Sequence, residues 1–99
     1  EAGVDTTLEI NSIKYTGKIN EKISVYDFMK KLMDEKKITF TEKNYSAIGK
    51  FIISLNGVSG NRDHAWIYYV NGKEASVGVS AQIINPGDVV SWKYEKPIY

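Results

Sequence analysis

Apolar and polar residues alternate along the first part of the chain in the pattern of β-strands. From Thr6 to Ile10 the apolar side chains fall on every second residue. This spacing predicts a half-buried strand, because successive side chains of a strand point to opposite faces. A second strand-like segment runs from Ile13 to Ile19 after a polar break at Asn11. Together the two segments predict a β-hairpin.

The apolar period then changes to that of a helix. Ser24 is a favourable N-cap, and Asp27 follows three residues later, where a carboxylate stabilises the first turn. The helix is predicted from Ser24 to about Lys36. Its apolar stripe has the spacing of one helix face and comprises Val25, Phe28, Met29, Leu32 and Met33.

The second half of the chain is rich in strand and turn signals. Strands are predicted at Ile38–Thr41, Phe51–Leu55, Ala65–Val70 and Val89–Tyr94. In the second of these, Phe51, Ile53 and Leu55 are expected to share one face. Asn71-Gly72 predicts a tight hairpin that returns the chain through Lys73–Val79, and the residues at 85–88, NPGD, predict another turn.

One helix and several strands predict an α+β fold. A single helix cannot bury its apolar stripe alone, and a sheet with one apolar face needs a cover. We therefore expect a β-grasp-like domain, with the helix at about 24–36 packed on a mixed, mostly antiparallel sheet. The chain is long enough for the first and last strands to pair in parallel. Residues 1–99 are expected to form a single domain, because no linker or low-complexity segment interrupts them.

Composition excludes several classes of function. The chain carries 13 basic and 12 acidic residues, a net charge of +1, so it has no basic surface of the kind that binds nucleic acid. It has no cysteine, which excludes disulfides, thiolate metal sites and cysteine nucleophiles. No apolar run approaches the roughly 20 residues of a membrane helix. The first five residues, EAGVD, do not have the pattern of a signal peptide.

Three ordered segments carry a resemblance to a known family. They read GKFIISLNGV at 49–58, WIYYVNG at 66–72 and GDVVSWKY at 87–94. With the preceding helix, they make the chain from Thr6 to Tyr94 resemble the transcobalamin-like C-terminal domain family. The resemblance implies a β-grasp-like fold and an extracellular or cell-surface setting, because bacterial members tend to be modules of secreted or surface-attached proteins.

The resemblance also indicates which part of the family's cobalamin site is not in this chain. In the cobalamin-binding members, the vitamin lies between this small domain and a large helical barrel domain. This chain has no barrel, so we expect no cofactor in the isolated chain, and cobalamin or a divalent metal ion only in a larger context. The expected partners are a neighbouring domain of the same precursor and an unknown small molecule or glycan.

Catalytic chemistry has little support in the sequence. His64 is the only histidine, and Asp63 is its immediate neighbour. Adjacent residues of a strand point to opposite faces, so this carboxylate is badly placed to orient that imidazole. No Gly-x-Ser-x-Gly motif is present. We therefore do not expect an enzyme.

A metal site is a second hypothesis. Asp63, His64 and Glu74 are candidate ligands across the predicted hairpin. A transition metal usually takes two or more His or Cys ligands, and the chain has one histidine and no cysteine. We favour the alternative that these three residues are solvated loop residues.

The aromatic residues point instead to a binding surface. Trp66 and Tyr68 are expected on one face of their strand and Tyr69 on the other, so both faces are apolar. Either a loop covers the second face or part of the strand binds a ligand or partner. We predict that Trp66 and Tyr68 bind a ligand or partner together with Asn61 and His64 of the preceding polar loop.

The sequence thus favours a noncatalytic extracellular module that binds a ligand or a partner. Two alternatives stay open. One is a metal-binding domain that uses Asp63 and His64, and the other is a structural spacer in a larger surface protein.

Overall fold

A computed structural model of the chain describes residues 3–45, 49–61 and 63–96. Ten strands and one helix are described. They are β1 (Val4–Ile10), β2 (Ile13–Ile19), β3 (Ile23–Ser24), α1 (Val25–Asp34), β4 (Phe40–Tyr45), β5 (Gly49–Leu55), β6 (Val58–Ser59), β7 (Ala65–Val70), β8 (Lys73–Glu74), β9 (Ile83–Ile84) and β10 (Val89–Glu95). No helix in this part of the chain is long and apolar enough to cross a membrane.

The main sheet has five strands in the order β2-β1-β10-β7-β8. β1 and β10 pair in parallel, from Thr7 opposite Val89 to Ile10 opposite Trp92. The other pairs of this sheet are antiparallel. The predicted fold class is therefore confirmed: a β-grasp-like arrangement in which one helix packs on a mixed, mostly antiparallel sheet.

The helix begins where the sequence predicts and ends slightly earlier. The Ser24 hydroxyl accepts a hydrogen bond from the backbone N–H of Asp27 at 3.0 Å, as an N-cap does. Lys36, predicted as the end of the helix, lies outside it with a φ of 62°. The N–H groups of Lys36 and Lys37 fold back onto carbonyls of the last turn, those of Met33 and Leu32. This C-terminal motif stops the helix at Asp34.

The helix packs on β2, the strand at one edge of the main sheet. It makes its close approach at Gly17 of β2, where an added Cβ atom would lie 3.0 Å from Leu32 and 3.1 Å from Phe28. The β10–β7 half is covered by the second, three-stranded sheet β4-β5-β6 and by the chain that follows β8. A space remains between the three-stranded sheet and the chain that follows β8.

The predicted faces of β5 are wrong because of a β-bulge. Thr41 pairs with Ser54 and the next residue, Glu42, pairs with Ile52, so Ile53 is an extra residue on β5. One extra residue reverses the facing of the side chains on either side of it. Ile52 and Leu55 are consequently both buried, and Phe51 and Ile53 are exposed.

The predicted hairpin at 71–72 is present, but its second strand is short. Asn71 and Gly72 have φ values of 52° and 85°, the signs of a type I′ turn. The returning strand ends at Glu74, whereas the sequence predicted that it continues to Val79. Residues 75–82 instead leave the sheet and cross to α1, where the carbonyls of Val79 and Gln82 accept hydrogen bonds from the first N–H groups of the helix.

Candidate functional site

An open cavity of about 700 Å³ lies over β7 and β10, between the three-stranded sheet and the chain that follows β8. We call it the aromatic cavity. Its floor is Trp66, Tyr68 and Trp92, on the side of β7 and β10 that faces the core. One wall is residues 50–52 of β5, and the other, the loop wall, is residues 75–81.

The floor is a packed layer of rings. The ring centroids of Tyr68 and Trp92 are 4.9 Å apart with a tilt of 35°, and those of Trp66 and Tyr94 are also 4.9 Å apart. Trp66, Tyr68 and Trp92 are 6%, 8% and 3% exposed, so they belong to the core as well as to the cavity. The two predicted ligand residues of β7 thus lie at the bottom of a cavity with most of their surface covered. Whether they bind a ligand stays a prediction.

Tyr68 joins the floor to the loop wall. Its hydroxyl donates a hydrogen bond of 2.5 Å to the carbonyl oxygen of Val77. Burial raises the pKa of Tyr68 to about 12, so the hydroxyl keeps its proton beyond the pH at which an exposed tyrosine ionises. The loop wall is also held at its ends, by the N–H of Ala75 on the carbonyl of Tyr68 and by the N–H of Tyr26 on the carbonyl of Val79.

One of the described lining residues is charged, and its charge is paired with a carboxylate. Lys50 is the charged residue among them. Its ammonium lies 3.2 Å from a carboxylate oxygen of Glu42 and 5.0 Å from the centre of the Tyr26 ring. Glu42 in turn accepts a hydrogen bond from the Tyr26 hydroxyl at 3.1 Å. The positive charge is therefore already balanced at the edge of the cavity.

Asn61 and His64 lie together in the loop before β7, around Tyr94. The amide oxygen of Asn61 accepts from the backbone N–H groups of Asp63 at 2.8 Å and His64 at 2.9 Å, and its amide nitrogen donates to the Tyr94 hydroxyl at 3.1 Å. The His64 ring is stacked on the Tyr94 ring, with centroids 5.2 Å apart. Asn61 therefore organises this loop.

This loop adjoins the aromatic cavity without lining it. The indole N–H of Trp66 donates to the carbonyl of Val58 at 2.8 Å, which fixes β6, the strand from which this loop begins, beside the floor. Asn61 and His64 are not among the residues that line the cavity. The structure thus divides the predicted binding set into a pair at the cavity floor, Trp66 and Tyr68, and a pair on the adjoining loop.

The predicted metal set is not a cluster. Glu74 lies opposite Tyr69 in the β7–β8 pair, whereas Asp63 and His64 precede the first residue of β7. The five residue-to-residue steps from His64 to Tyr69 span roughly 16 Å of extended chain. Among the described residues, no three His, Cys, Asp or Glu side chains approach closely enough to hold a metal ion. The expectation that Glu74 joins Asp63 and His64 is wrong, because the two-residue turn places it at the far end of the strand.

Sequence reasoning missed the loop wall and the part played by Trp92. The strand prediction assigned residues 73–79 to the sheet and so hid the loop wall. One sequence signal was available: residues 75–81 read ASVGVSA, a run of small residues beside a pair of aromatic strands. Trp92 shares its face of β10 with Val90, and the same alternation that places Trp66 and Tyr68 together predicts that face.

Solved structures with this fold include two informative matches. Haptocorrin, solved in complex with Cbi, matches 95% of this chain with a TM-score of 0.74 and 17% identity. A "putative metal binding protein" from Ruminococcus gnavus ATCC 29149 matches 99% of this chain and 100% of its own, with a TM-score of 0.64 and 11% identity. At these identities the likeness is one of fold, and it confirms the β-grasp-like fold that the transcobalamin-like resemblance implies.

The match to haptocorrin takes in 26% of that protein, so the chain spans about a quarter of its length. No curated protein matches this sequence. Residues 23–96, well over half of the chain, match the model of a family described as "Domain of unknown function (DUF4430)". The chain belongs to this family.

Proposed function

We propose that this chain is a noncatalytic binding module of a larger extracellular or surface-attached protein, and that the aromatic cavity is its binding site. The observation that carries the proposal is an open cavity of about 700 Å³, floored by three buried aromatic residues, in a domain of 99 residues. Ligand sites of proteins are typically apolar clefts of roughly 300–1,000 Å³ with a few polar groups. The aromatic cavity has this size and this lining.

The chemistry of the lining supports binding rather than catalysis. A nucleophilic site needs a base within hydrogen-bond reach of the nucleophile. The described lining residues that carry a hydroxyl are Ser76, Ser80 and Tyr68, and the histidine of the chain is not among the lining residues. The Tyr68 hydroxyl already donates its hydrogen bond to the carbonyl oxygen of Val77.

The larger protein in this proposal rests on the comparison with haptocorrin, of which this fold is only a part. A cobalamin site shared between two domains loses most of its buried contacts when one domain is absent. We therefore expect the isolated chain to give a flat calorimetric titration with cobalamin at tens of micromolar. Sub-micromolar binding would instead mean that this chain holds a complete corrinoid site.

A neutral dye tests the aromatic cavity directly. Nile red emits strongly in apolar surroundings, so its fluorescence should rise on binding there. Ser76→Phe places a ring in the loop wall and should weaken dye binding several-fold. Thr16→Phe is the matched control, because Thr16 is exposed on β2 and is not among the lining residues.

Dye titrations of the wild type, Ser76→Phe and Thr16→Phe distinguish the possible results. Binding by the wild type and Thr16→Phe, and its loss in Ser76→Phe, is the expected result. Equal binding by all three would place the dye elsewhere and overturn the assignment of the site. No fluorescence increase with folded wild-type protein would favour the structural spacer. Circular dichroism on each variant shows whether it is folded.

The metal-binding alternative has a separate test. A metal held only by the folded state raises the melting temperature. We expect no rise with zinc at micromolar concentration. A clear rise in the wild type that His64→Ala abolishes would favour the alternative that uses Asp63 and His64.

A further inference from the structure

The strand β2 forms one edge of the main sheet, and no described strand pairs with its outer side. Its register shows which backbone groups lie on that side. Ile10 pairs with Ile13 across a two-residue turn, and the residues that flank such a turn exchange hydrogen bonds. The odd-numbered residues of β2 therefore turn their N–H and C=O groups towards β1. Those of Lys14, Thr16 and Lys18 point away from the sheet.

The outer edge of β2 is open to solvent. Lys37 shows this directly, because its ammonium reaches the Thr16 carbonyl from the surface and donates a hydrogen bond of 2.5 Å. Lys14, Thr16 and Lys18 are all exposed. β2 is seven residues long, whereas β8 at the opposite edge of the sheet has two. A long open edge is a template to which another extended chain can add by backbone hydrogen bonds.

This edge carries positive charge. Residues 13–19 read IKYTGKI, with two lysines and no acidic residue. The side chains of Lys14 and Lys18 are 71% and 62% exposed. Their carboxylate partners, Glu9 and Asp5, lie one strand further in, on β1. Ion pairs this exposed contribute little, so another carboxylate can replace either partner. A strand added beside β2 would meet the ammonium groups first.

The charge determines which occupant fits. Pairing the β2 edges of two copies would place lysines beside lysines, and like charges on adjacent strands are destabilising. A strand with carboxylates would instead pair with Lys14 and Lys18, which are four residues apart on one face, about 13 Å along the strand. The opposite face of β2 carries Tyr15, which packs against the core, and the exposed Ile13. Apolar side chains of the added strand fit there.

We propose that the outer edge of β2 binds an extended acidic segment of a partner protein, which adds to the main sheet as a further strand. The segment carries two carboxylates four residues apart, facing Lys14 and Lys18, and apolar residues between them on the other face. Lys37 occupies the Thr16 carbonyl until an N–H of the segment replaces it. No residue of β2 lines the aromatic cavity. This interaction surface is therefore separate from the proposed binding site and does not depend on it.

Two short peptides of opposite charge test the proposal. The probe is Glu-Val-Thr-Val-Glu with both ends blocked, and the control, Lys-Val-Thr-Val-Lys, differs only in charge. In ¹H–¹⁵N NMR titrations of the wild type, the amide protons of Lys14, Thr16 and Lys18 should move downfield with the acidic peptide, because they gain hydrogen bonds. We expect the acidic peptide to bind about tenfold tighter than the basic one, the ratio that two exposed ion pairs give. This preference should shrink at high salt.

Variants of the edge provide matched controls. Reversing both charges, Lys14→Glu with Lys18→Glu, should make the basic peptide the tighter ligand. Lys43→Glu with Lys73→Glu changes the net charge equally, at exposed residues of β4 and β8, and should leave the preference unchanged. Thr16→Pro removes an N–H that points outwards and should abolish binding. If that variant does not fold, an acidic peptide N-methylated at its three central residues replaces it, and the wild type should not bind this peptide.

Each other result overturns the proposal in a recognisable way. If the folded wild type does not bind the acidic peptide at millimolar concentration, the lysines only protect the edge from aggregation. Equal binding of both peptides would mean that charge does not select the partner. Shifts confined to residues 50–52 and 75–81 would place the peptide in the aromatic cavity. Shifts at residues 14–18 that depend on protein concentration alone would identify a second copy of the chain as the occupant.

Discussion

The hydroxyl of Tyr68 lies 2.5 Å from the carbonyl oxygen of Val77, and this one side-chain hydrogen bond joins the floor of the aromatic cavity to its loop wall. Val77 itself is 46% exposed. The bond therefore holds an exposed segment against a buried residue of the main sheet. The middle of the loop wall is thus held by a side chain that is otherwise part of the core.

Removing this hydroxyl should loosen the loop wall. Tyr68→Phe keeps the ring against Trp92 and deletes one hydrogen bond, so we expect the free energy of unfolding to fall by about 1 kcal/mol. Urea denaturation measures this loss, and amide hydrogen exchange should become faster at residues 76–79. Tyr69→Phe is the control, because its hydroxyl bonds to Glu95 instead. Unchanged exchange in Tyr68→Phe would mean that the bond does not hold the loop wall.

The same residue predicts how stability depends on alkaline pH. Burial raises the pKa of Tyr68 from 10.0 to about 12, so the unfolded chain loses this proton before the folded chain does. The contribution of Tyr68 is complete below about pH 10 and is lost as the pH rises towards about 12. Denaturation of the wild type and Tyr68→Phe at several pH values in this window should show a steeper loss in the wild type. Parallel curves would contradict the shift.

Gly17 should not tolerate a larger side chain. A Cβ atom there would lie 3.0 Å from Leu32 and 3.1 Å from Phe28, both fully buried. Gly17→Val should therefore force the helix away from the sheet and destabilise the protein by about 1–3 kcal/mol. Thr16→Val, on the exposed neighbouring residue, is the control and should change stability by less than about 0.5 kcal/mol. Equal effects in chemical denaturation would mean that the helix does not approach β2 so closely.

The turn between β7 and β8 makes a different demand on glycine. The φ of Gly72 is 85°, in the left-handed region that a β-branched residue resists. Nothing lies within 4 Å of an added Cβ atom, so the cost is one of backbone conformation and not of crowding. Gly72→Val should lower the free energy of unfolding by about 1 kcal/mol or more. Lys73→Val, which follows in the strand, should be close to neutral in the same denaturation experiment.

Local patterns predicted most of the main sheet and the helix. The Asn71-Gly72 turn, the Ser24 cap and the alternation along β7 each depend on neighbouring residues, so the sequence carries them directly. The local pattern could not predict which side chains of β5 are buried. The extra residue at Ile53 exists only relative to the strand with which β5 pairs.

The candidate site was predicted in part for the same reason. Alternation placed Trp66 and Tyr68 on one face, and the structure finds both on the cavity floor. The loop wall is fixed by contacts distant in sequence, such as that of the Tyr26 N–H with the Val79 carbonyl. The local pattern at 73–79 resembles a strand because it lacks that information. Glu74 was misplaced by the assumption that a hairpin brings its far strand back to His64.

The parallel pairing of β1 with β10 also governs how the fold would carry a mechanical load. The two strands run in the same direction, with backbone hydrogen bonds that include those from Thr7 to Asp88 and from Asn11 to Trp92. Tension applied between Val4 and Glu95 would slide one strand along the other and stretch these bonds together, not one after another. A fold loaded in this shearing geometry resists extension more strongly than a hairpin that is peeled open from one end.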